Sequence, residues 1–322
     1  MYFLIIIKII LKIFTGFSVY VNVWMEVISM KKINFILILL VLISSLTIYG
    51  GTASAKGKVT KDDASQEHSV ELEVVKSTAY YNSLDGERIE YTPENEMLIA
   101  KTKLEDIEKY KKLTGKSISY EEVGLKDTND SEESGKIHTL SSLPPTEPAT
   151  NSKLLIAQQV FYKGTSGTNY KYQYHSYAEW FKTPVNHKKD AFATAWDTSA
   201  VPSAGTFKGY WQQQKAIADG KGGLTYVTED KRLSADADSY KNYGHGVILS
   251  PGYGDTQFMT MDRDVLVPQS KKGDPANIIT KYHHTYATIN GVAISVGPAS
   301  ISFSGSWGDD LVTEYSFTYG DR

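Results

Sequence analysis

Hydrophobic and polar positions alternate with a period of two through most of the C-terminal half of the chain. Between residues 170 and 180, Tyr170, Tyr172, Tyr174, Ala178 and Trp180 share one parity, while Lys171, Gln173, His175 and Glu179 share the other. That is the pattern of a strand with one buried face. An apolar strand over 154–163 precedes it. Further strands are predicted over 191–196, 207–212, 224–229, 246–249, 257–267, 278–289, 292–296, 300–303 and 311–319. The stretches between them are rich in Gly, Asn, Asp or Pro, and Asn290-Gly291 between two alternating segments is the strongest hairpin signal. No helical period interrupts this run. Residues 153–322 are therefore expected to form an antiparallel β-sandwich or jelly-roll-like domain, with a partly open barrel as the alternative.

The N-terminal pattern differs. Residues 69–75 alternate Val70, Leu72 and Val74 with Glu71 and Glu73, a half-buried strand. One amphipathic helix follows. Thr92 suits its N-cap, Pro93 its first position, and Lys109, Lys111 and Lys112 its negative end, while Gly115 stops it. Met97, Ala100, Leu104, Ile107 and Tyr110 recur at three- and four-residue spacings and form its predicted apolar stripe. Residues 56–126 thus read as a small α+β N-terminal region. Residues 127–152 pass from the acidic 127–135 to the proline-rich 143–148 and read as a polar linker, because neither part can bury enough apolar surface to fold.

Residues 30–55 carry the three parts of an export signal in order. Lys31 and Lys32 supply the positive start, 33–48 the apolar run, and Ala53-Ser54-Ala55 the small-residue cleavage pattern. Tyr49-Gly50-Gly51 ends the run before a stop-transfer helix could form. The expected product is secreted and extracellular, without a stable membrane span after cleavage; an uncleaved N-terminal membrane anchor is the alternative. Residues 1–29 stand in front of a complete signal and read as a mis-called start or a leader.

Composition narrows the chemistry. The chain has no cysteine, which removes disulfides, thiolate metal sites and thiol nucleophiles. Residues 1–55 hold Lys8, Lys12, Lys31, Lys32 and Glu26, a net +3, so the remainder carries −6 against −3 for the whole. A mildly acidic chain without a basic stripe has little electrostatic support for nucleic-acid binding. Tyrosine is abundant, with 22 residues, and suits strands.

Motifs for specific chemistry are sparse. The nucleophile-elbow pattern is absent. His283 and His284 are adjacent on a predicted strand, point to opposite faces and do not share an ion, so neither a metal nor a cofactor is implied. Asp262 and Asp264 share a face as a solvated pair, although paired carboxylates with aromatics leave a secreted glycan hydrolase as one alternative. Tyr210, Trp211 and Trp307 lie beside glycines and glutamines and are the candidate ligand-binding aromatics, because a flat apolar ring with a polar edge stacks on sugars. Trp180 and Trp196 are expected in the core. The Ser-rich stretch 294–304 resembles the hairpins of β-pore formers, but Pro298 interrupts it and each half is short for a spanning strand, so an edge hairpin is expected there.

The spacing of Trp180, Pro184, Asp190, Trp196 and Gly209-Tyr210-Trp211 resembles one found in uncharacterised secreted β-rich proteins of Gram-positive bacteria. It covers about forty residues, implies an extracellular β-rich protein, and carries over no catalytic or binding residue. The function expected is non-catalytic binding to an envelope or environmental polymer such as a cell-wall polysaccharide. A membrane-active toxin or bacteriocin-like factor is the other alternative. N-terminal sequencing of the exported product is expected to begin at Lys56; a product that retains residues 30–55 would point to the anchored form.

Overall fold

The computed structural model describes residues 68–125, 154–181, 183–184, 187–218, 223–236 and 241–321. The expected export signal with Ala53 and Ala55, the preceding 29 residues and the expected linker at 127–152 lie outside the described residues. The remainder is mainly β, built as two antiparallel sheets in a sandwich with one helix.

The first sheet runs β1 (His68–Val70), β4 (Leu154–Ser166), β5 (Asn169–Trp180), β11 (Thr256–Pro268), β8 (Lys208–Ala218) and β9 (Leu224–Leu233), with the short β7 (Val201–Pro202) also on β11. The second runs β10 (Gly244–Leu249), β6 (Asp190–Trp196), β12 (Pro275–Gly297), β13 (Ser300–Thr318), β2 (Glu73–Asn82) and β3 (Arg88–Glu90). The N-terminal region is thus woven into both sheets. Its β1 pairs with β4 and its β2 with β13, so it completes the sandwich that 153–322 alone was expected to form. Its own β2 and β3 form a two-stranded pair, which is too small to stand alone and buries its apolar face by joining the larger sheet.

Alternation places the core as the sequence pattern requires. Tyr170, Tyr172, Tyr174, Ala178 and Trp180 are buried, as are Trp196 and the inward parity of β11, Met259, Met261, Val265 and Val267. Polar groups join the two sheets inside. Gln158 Oε1 accepts from Ser176 Oγ at 2.8 Å and from Thr280 Oγ1 at 3.0 Å. Trp180 Nε1 donates to Tyr282 Oη at 3.0 Å, and Tyr282 Oη to Asp190 Oδ2 at 2.7 Å. Buried polar groups need such partners, and these fix one relative setting of the sheets.

Helix α1 (Glu96–Thr114) follows a single 3₁₀ turn, Pro93–Asn95, and ends at Gly115, whose φ of 70° lets its N–H reach Lys111 O at 2.9 Å. Its buried side is Ile99, Ala100, Lys103, Asp106, Ile107 and Tyr110, whereas Met97 is 86% exposed. The predicted stripe is therefore rotated away from Met97. Two charged residues turn inward because the sheet and neighbouring turns offer them partners: Lys103 Nζ donates to Val123 O at 2.7 Å and Tyr286 Oη at 3.0 Å, and Asp106 accepts from Tyr81 Oη and, at 3.0 Å, from Leu84 N. A hydrophobicity pattern has no means of anticipating this exchange.

The β12–β13 hairpin departs furthest from expectation. β12 runs unbroken through Asn290-Gly291, and the turn is Pro298-Ala299, between the paired residues Gly297 and Ser300. Pro suits the first central position, and Ala299 takes the left-handed conformation at φ 44°. Asn290-Gly291 instead lies in a bulge, where the register jumps from Thr288↔Ser306 to Ala293↔Ser304 and leaves only Gly305, at φ 79°, on the opposite strand. A bulge of this kind bends a ladder. Beyond it the hairpin packs on the outer face of its own sheet, Ile294 and Val296 against Ala191, Ala193 and Ala195.

Below the bend, that outer face carries a buried ionic group. Asp310 is 2.6 Å from Lys281 Nζ, and its Oδ1 is 2.7 Å from His283 Nδ1; His283 Nε2 is 2.7 Å from Ser306 Oγ. Burial opposes ionisation of Asp310, but the hydrogen bond and charge of His283 and the charge of Lys281 outweigh it and hold the carboxyl at about 2. A depressed carboxyl contributes stability that is complete above its unfolded value, about 3.9, and is lost as pH falls toward 2. Asp310→Asn should therefore lower stability at neutral pH by roughly 2–3 kcal/mol in urea unfolding. The gap from the parent should close as pH drops from about 4 to about 2; a constant gap would show that the charge is not what stabilises.

Candidate functional site

The open face of the first sheet carries the residues that alternation turns away from the core. On β5 these are Lys171, Gln173, His175, Tyr177 and Glu179; on β11, Phe258, Thr260, Asp262 and Asp264; on β8, Tyr210 and Gln212; all are partly exposed. Register brings them into rows across the strands. Thr260 is opposite both Tyr177 and Tyr210, and Phe258 is opposite both Glu179 and Gln212.

Three aromatic rings follow from this register. The centroids of Tyr177 and Phe258 are 6.1 Å apart at 26°, and those of Phe258 and Tyr210 are 6.0 Å apart at 43°. Two strand spacings, about 10 Å, separate the β5 and β8 ends of the row. Each outer ring has a polar anchor. Tyr177 Oη donates to Glu179 Oε2 at 2.6 Å, and Gln212 Nε2 donates to Tyr210 Oη at 3.0 Å. Burial raises the Glu179 carboxyl above its usual range, against the lowering effect of the Tyr177 hydrogen bond. The Tyr177 hydroxyl is itself raised, by burial and then by the Glu179 charge, so it remains a donor at neutral pH.

The charges beside the row compensate one another. Asp262 Oδ1 lies 2.7 Å from His175 Nδ1 and accepts from Gln173 Nε2 at 3.0 Å. Asp264 pairs with Lys171 at 2.8 Å and Lys163 at 3.6 Å. Asp262 and Asp264 do share one face, and each is held by neighbouring side chains. What the face offers a ligand is aromatic surface edged with amides and hydroxyls.

Of the candidate aromatics from the sequence, Tyr210 alone opens onto this face. Trp211 is 2% exposed and packs in the core with Trp180, Met259 and Met261. Trp307 is fully buried, donates from Nε1 to Tyr81 Oη at 2.7 Å, and packs against Tyr110 and Tyr286. Their rings are occupied by protein, which corrects the expectation of a stacking surface at those two positions. Parity supplies the reason: adjacent residues on a strand face opposite ways, so Tyr210 and Trp211 cannot both be open. Parity also carried the missed signal. Tyr177 is the aromatic residue on the otherwise polar parity of β5, and Phe258 is the aromatic residue on a β11 parity that is polar at Thr256, Thr260, Asp262 and Asp264. Among the described residues no group of three His, Asp or Glu side chains is arranged to hold a metal ion.

No protein-family model matches the chain, and no curated protein matches it. Among solved structures it is similar to the membrane-inserted form of the NetB toxin of Clostridium perfringens, at 6% identity and a TM-score of 0.25 over 56% of this chain and 94% of that one. It is also similar to the collagen-binding subdomain of the Enterococcus faecalis surface protein ACE, at 7% identity and 0.21 over 44% and 93%. A third match is a Streptococcus parasanguinis structure concerned with adhesion by Fap1 fimbriae, at 11% and 0.24 over 55% and 82%. These are distant likenesses to β-rich toxins and adhesins, and at such scores they carry no functional argument.

Proposed function

We propose that the protein is an exported binding protein that holds a neutral polysaccharide of a cell envelope or its surroundings on the open face of the first sheet. The observation that carries this reading is the row Tyr177, Phe258 and Tyr210 across three adjacent strands, with its centroid spacings near 6 Å. A pyranose has one face of C–H groups that stacks on an aromatic ring and a rim of hydroxyls that needs hydrogen-bond partners. Here the rings supply the first, and Glu179, Gln212 and Thr260 flank them as the second. Of the neighbouring carboxylates, Asp264 is paired with Lys163 and Lys171, and Asp262 is held by hydrogen bonds to His175 and Gln173. The face therefore has no large field of one sign, and it suits a hydroxyl-rich ligand better than a strongly charged one. A sheet is rigid, so little ordering cost opposes stacking.

The export signal of residues 30–55 supports an extracellular setting for this role. Among the described residues no helix is long and apolar enough to cross a membrane.

Retention on insoluble glycans, with purified sacculi and β-glucan as separate arms, tests the reading. Tyr177→Ala and Phe258→Ala should each weaken retention about 3- to 10-fold, the scale of one lost stacking contact, while Tyr120→Ala, at an exposed tyrosine outside the row, should leave it unchanged. Absence of retention on any glycan, or equal retention by all variants, would remove the proposal.

A further inference from the structure

Strand β9 is the long open edge of the sandwich. Of the four strands that end the two sheets, β1 and β3 have three residues each and the six of β10 are almost wholly buried, whereas β9 has ten and is exposed at all but Leu233. It pairs on one side with β8, in an unbroken register from Gly209↔Leu233 to Ala218↔Leu224, and among the described residues its other side meets no strand. Leu224 is 67% and Tyr226 66% exposed. A free edge presents a row of unpaired N–H and C=O groups that can template another strand, and proteins block it with short strands, proline, bulges or charges. β9 has no proline, glycine or bulge, so its charges decide what can pair there.

The order of those charges selects a partner. Residues 229–232 read Glu-Asp-Lys-Arg, two acids followed by two bases, and such a run complements itself when laid antiparallel. Glu229 Oε2 accepts from Gln213 Nε2 at 2.6 Å and Lys231 Nζ lies 4.7 Å from the Trp211 ring, so both charges sit on the face that continues the core side of β8. A two-fold axis that extends a sheet stands perpendicular to it, and residues opposite one another then share a parity. With the axis at Asp230, Glu229 falls opposite Lys231 of the second copy and Lys231 opposite its Glu229. Val227 and Leu233 meet at both ends of the same face. On the other face Asp230 meets its own copy, and Arg232 of each copy lies diagonal to the other's Asp230, within reach of a long side chain. Two carboxylates and two guanidinium groups offset one another there. Moving the axis to Glu229 or to Lys231 sets that charge against its own copy and leaves the other opposite Val227 or Leu233, so the register is specified.

We infer that β9 pairs with β9 of a second copy of the chain, about a two-fold axis at Asp230, to make one continuous antiparallel sheet. The ribbon gains most. Over 214–218 and 224–227, β8 and β9 form a largely exposed two-stranded piece, a construction that is marginal alone and is stabilised by a third and fourth strand. The perpendicular axis also sets the aromatic rows of both copies on the same side of the joined sheet. The pairing itself does not rest on the glycan reading.

Sedimentation equilibrium of the purified protein should show monomer and dimer exchanging in the micromolar range. Glu229→Lys or Lys231→Glu alone sets like charges opposite each other twice and should weaken association about tenfold or more, whereas the two together exchange the signs and should restore most of it. In the cysteine-free chain, oxidised Asp230→Cys should give a disulfide-linked dimer, because the axis brings that position against its own copy. Thr228→Cys lies four residues along the ladder from its copy, about 13 Å, and should run as a single chain on a non-reducing gel. A monomer throughout the micromolar range, association untouched by the single reversals, a double variant no stronger than the singles, or linkage through 230 no greater than through 228 would each overturn the inference.

Discussion

The structure depends on one ladder, the pairing of β12 with β13. Along its lower half β12 pairs with β6 on one side and β13 pairs with β2 on the other, so the second sheet is assembled around it. Of the N-terminal strands, β2 and, through it, β3 join the fold at that edge of β13, whereas β1 pairs with β4, and helix α1 reaches the ladder through the hydrogen bond from Lys103 to Tyr286. Inside, Tyr282 of β12 ties Trp180 of the first sheet to Asp190 of the second. Above the bend the same two strands have no sheet to join, and they fold down over the outer surface instead.

This arrangement gives the two outer faces different characters. On the first sheet the outward parity is left open, and its charges pair locally around an aromatic row. On the second the outward parity includes Lys281, His283 and Asp310, which are buried, with Phe303 of the hairpin lying over Lys281 and His283. A fixed sheet face suits ligand stacking, which benefits from a surface with no ordering cost.

Period-two alternation made most of the sandwich legible. The inward tyrosines of β5, the core positions of Trp180 and Trp196, and helix α1 with its stop at Gly115 all follow from local pattern. What remained hidden depended on partners distant in sequence. The inward turn of Lys103 and Asp106 is decided by Tyr81, Val123 and Tyr286. Asn290-Gly291 has the chemistry of a hairpin turn, yet its neighbours on β13 draw it into a bulge, and the weaker signal at Pro298-Ala299 becomes the turn. The aromatic row was partly visible: Tyr210 stood out beside Trp211, but Tyr177 and Phe258 gain significance only when register sets their strands side by side.

The central claim is that the β12–β13 ladder is two units in one, a lower half that belongs to the core and an upper half that opens independently. Amide hydrogen exchange resolved by segment measures this directly, since sub-global opening leaves one region less protected than the rest. The account predicts that residues 292–304 exchange well before residues 278–284 and 310–317 under native conditions, and that Asp310→Asn changes the two regions unequally. Equal protection of both halves, lost together only at the global transition, would contradict it.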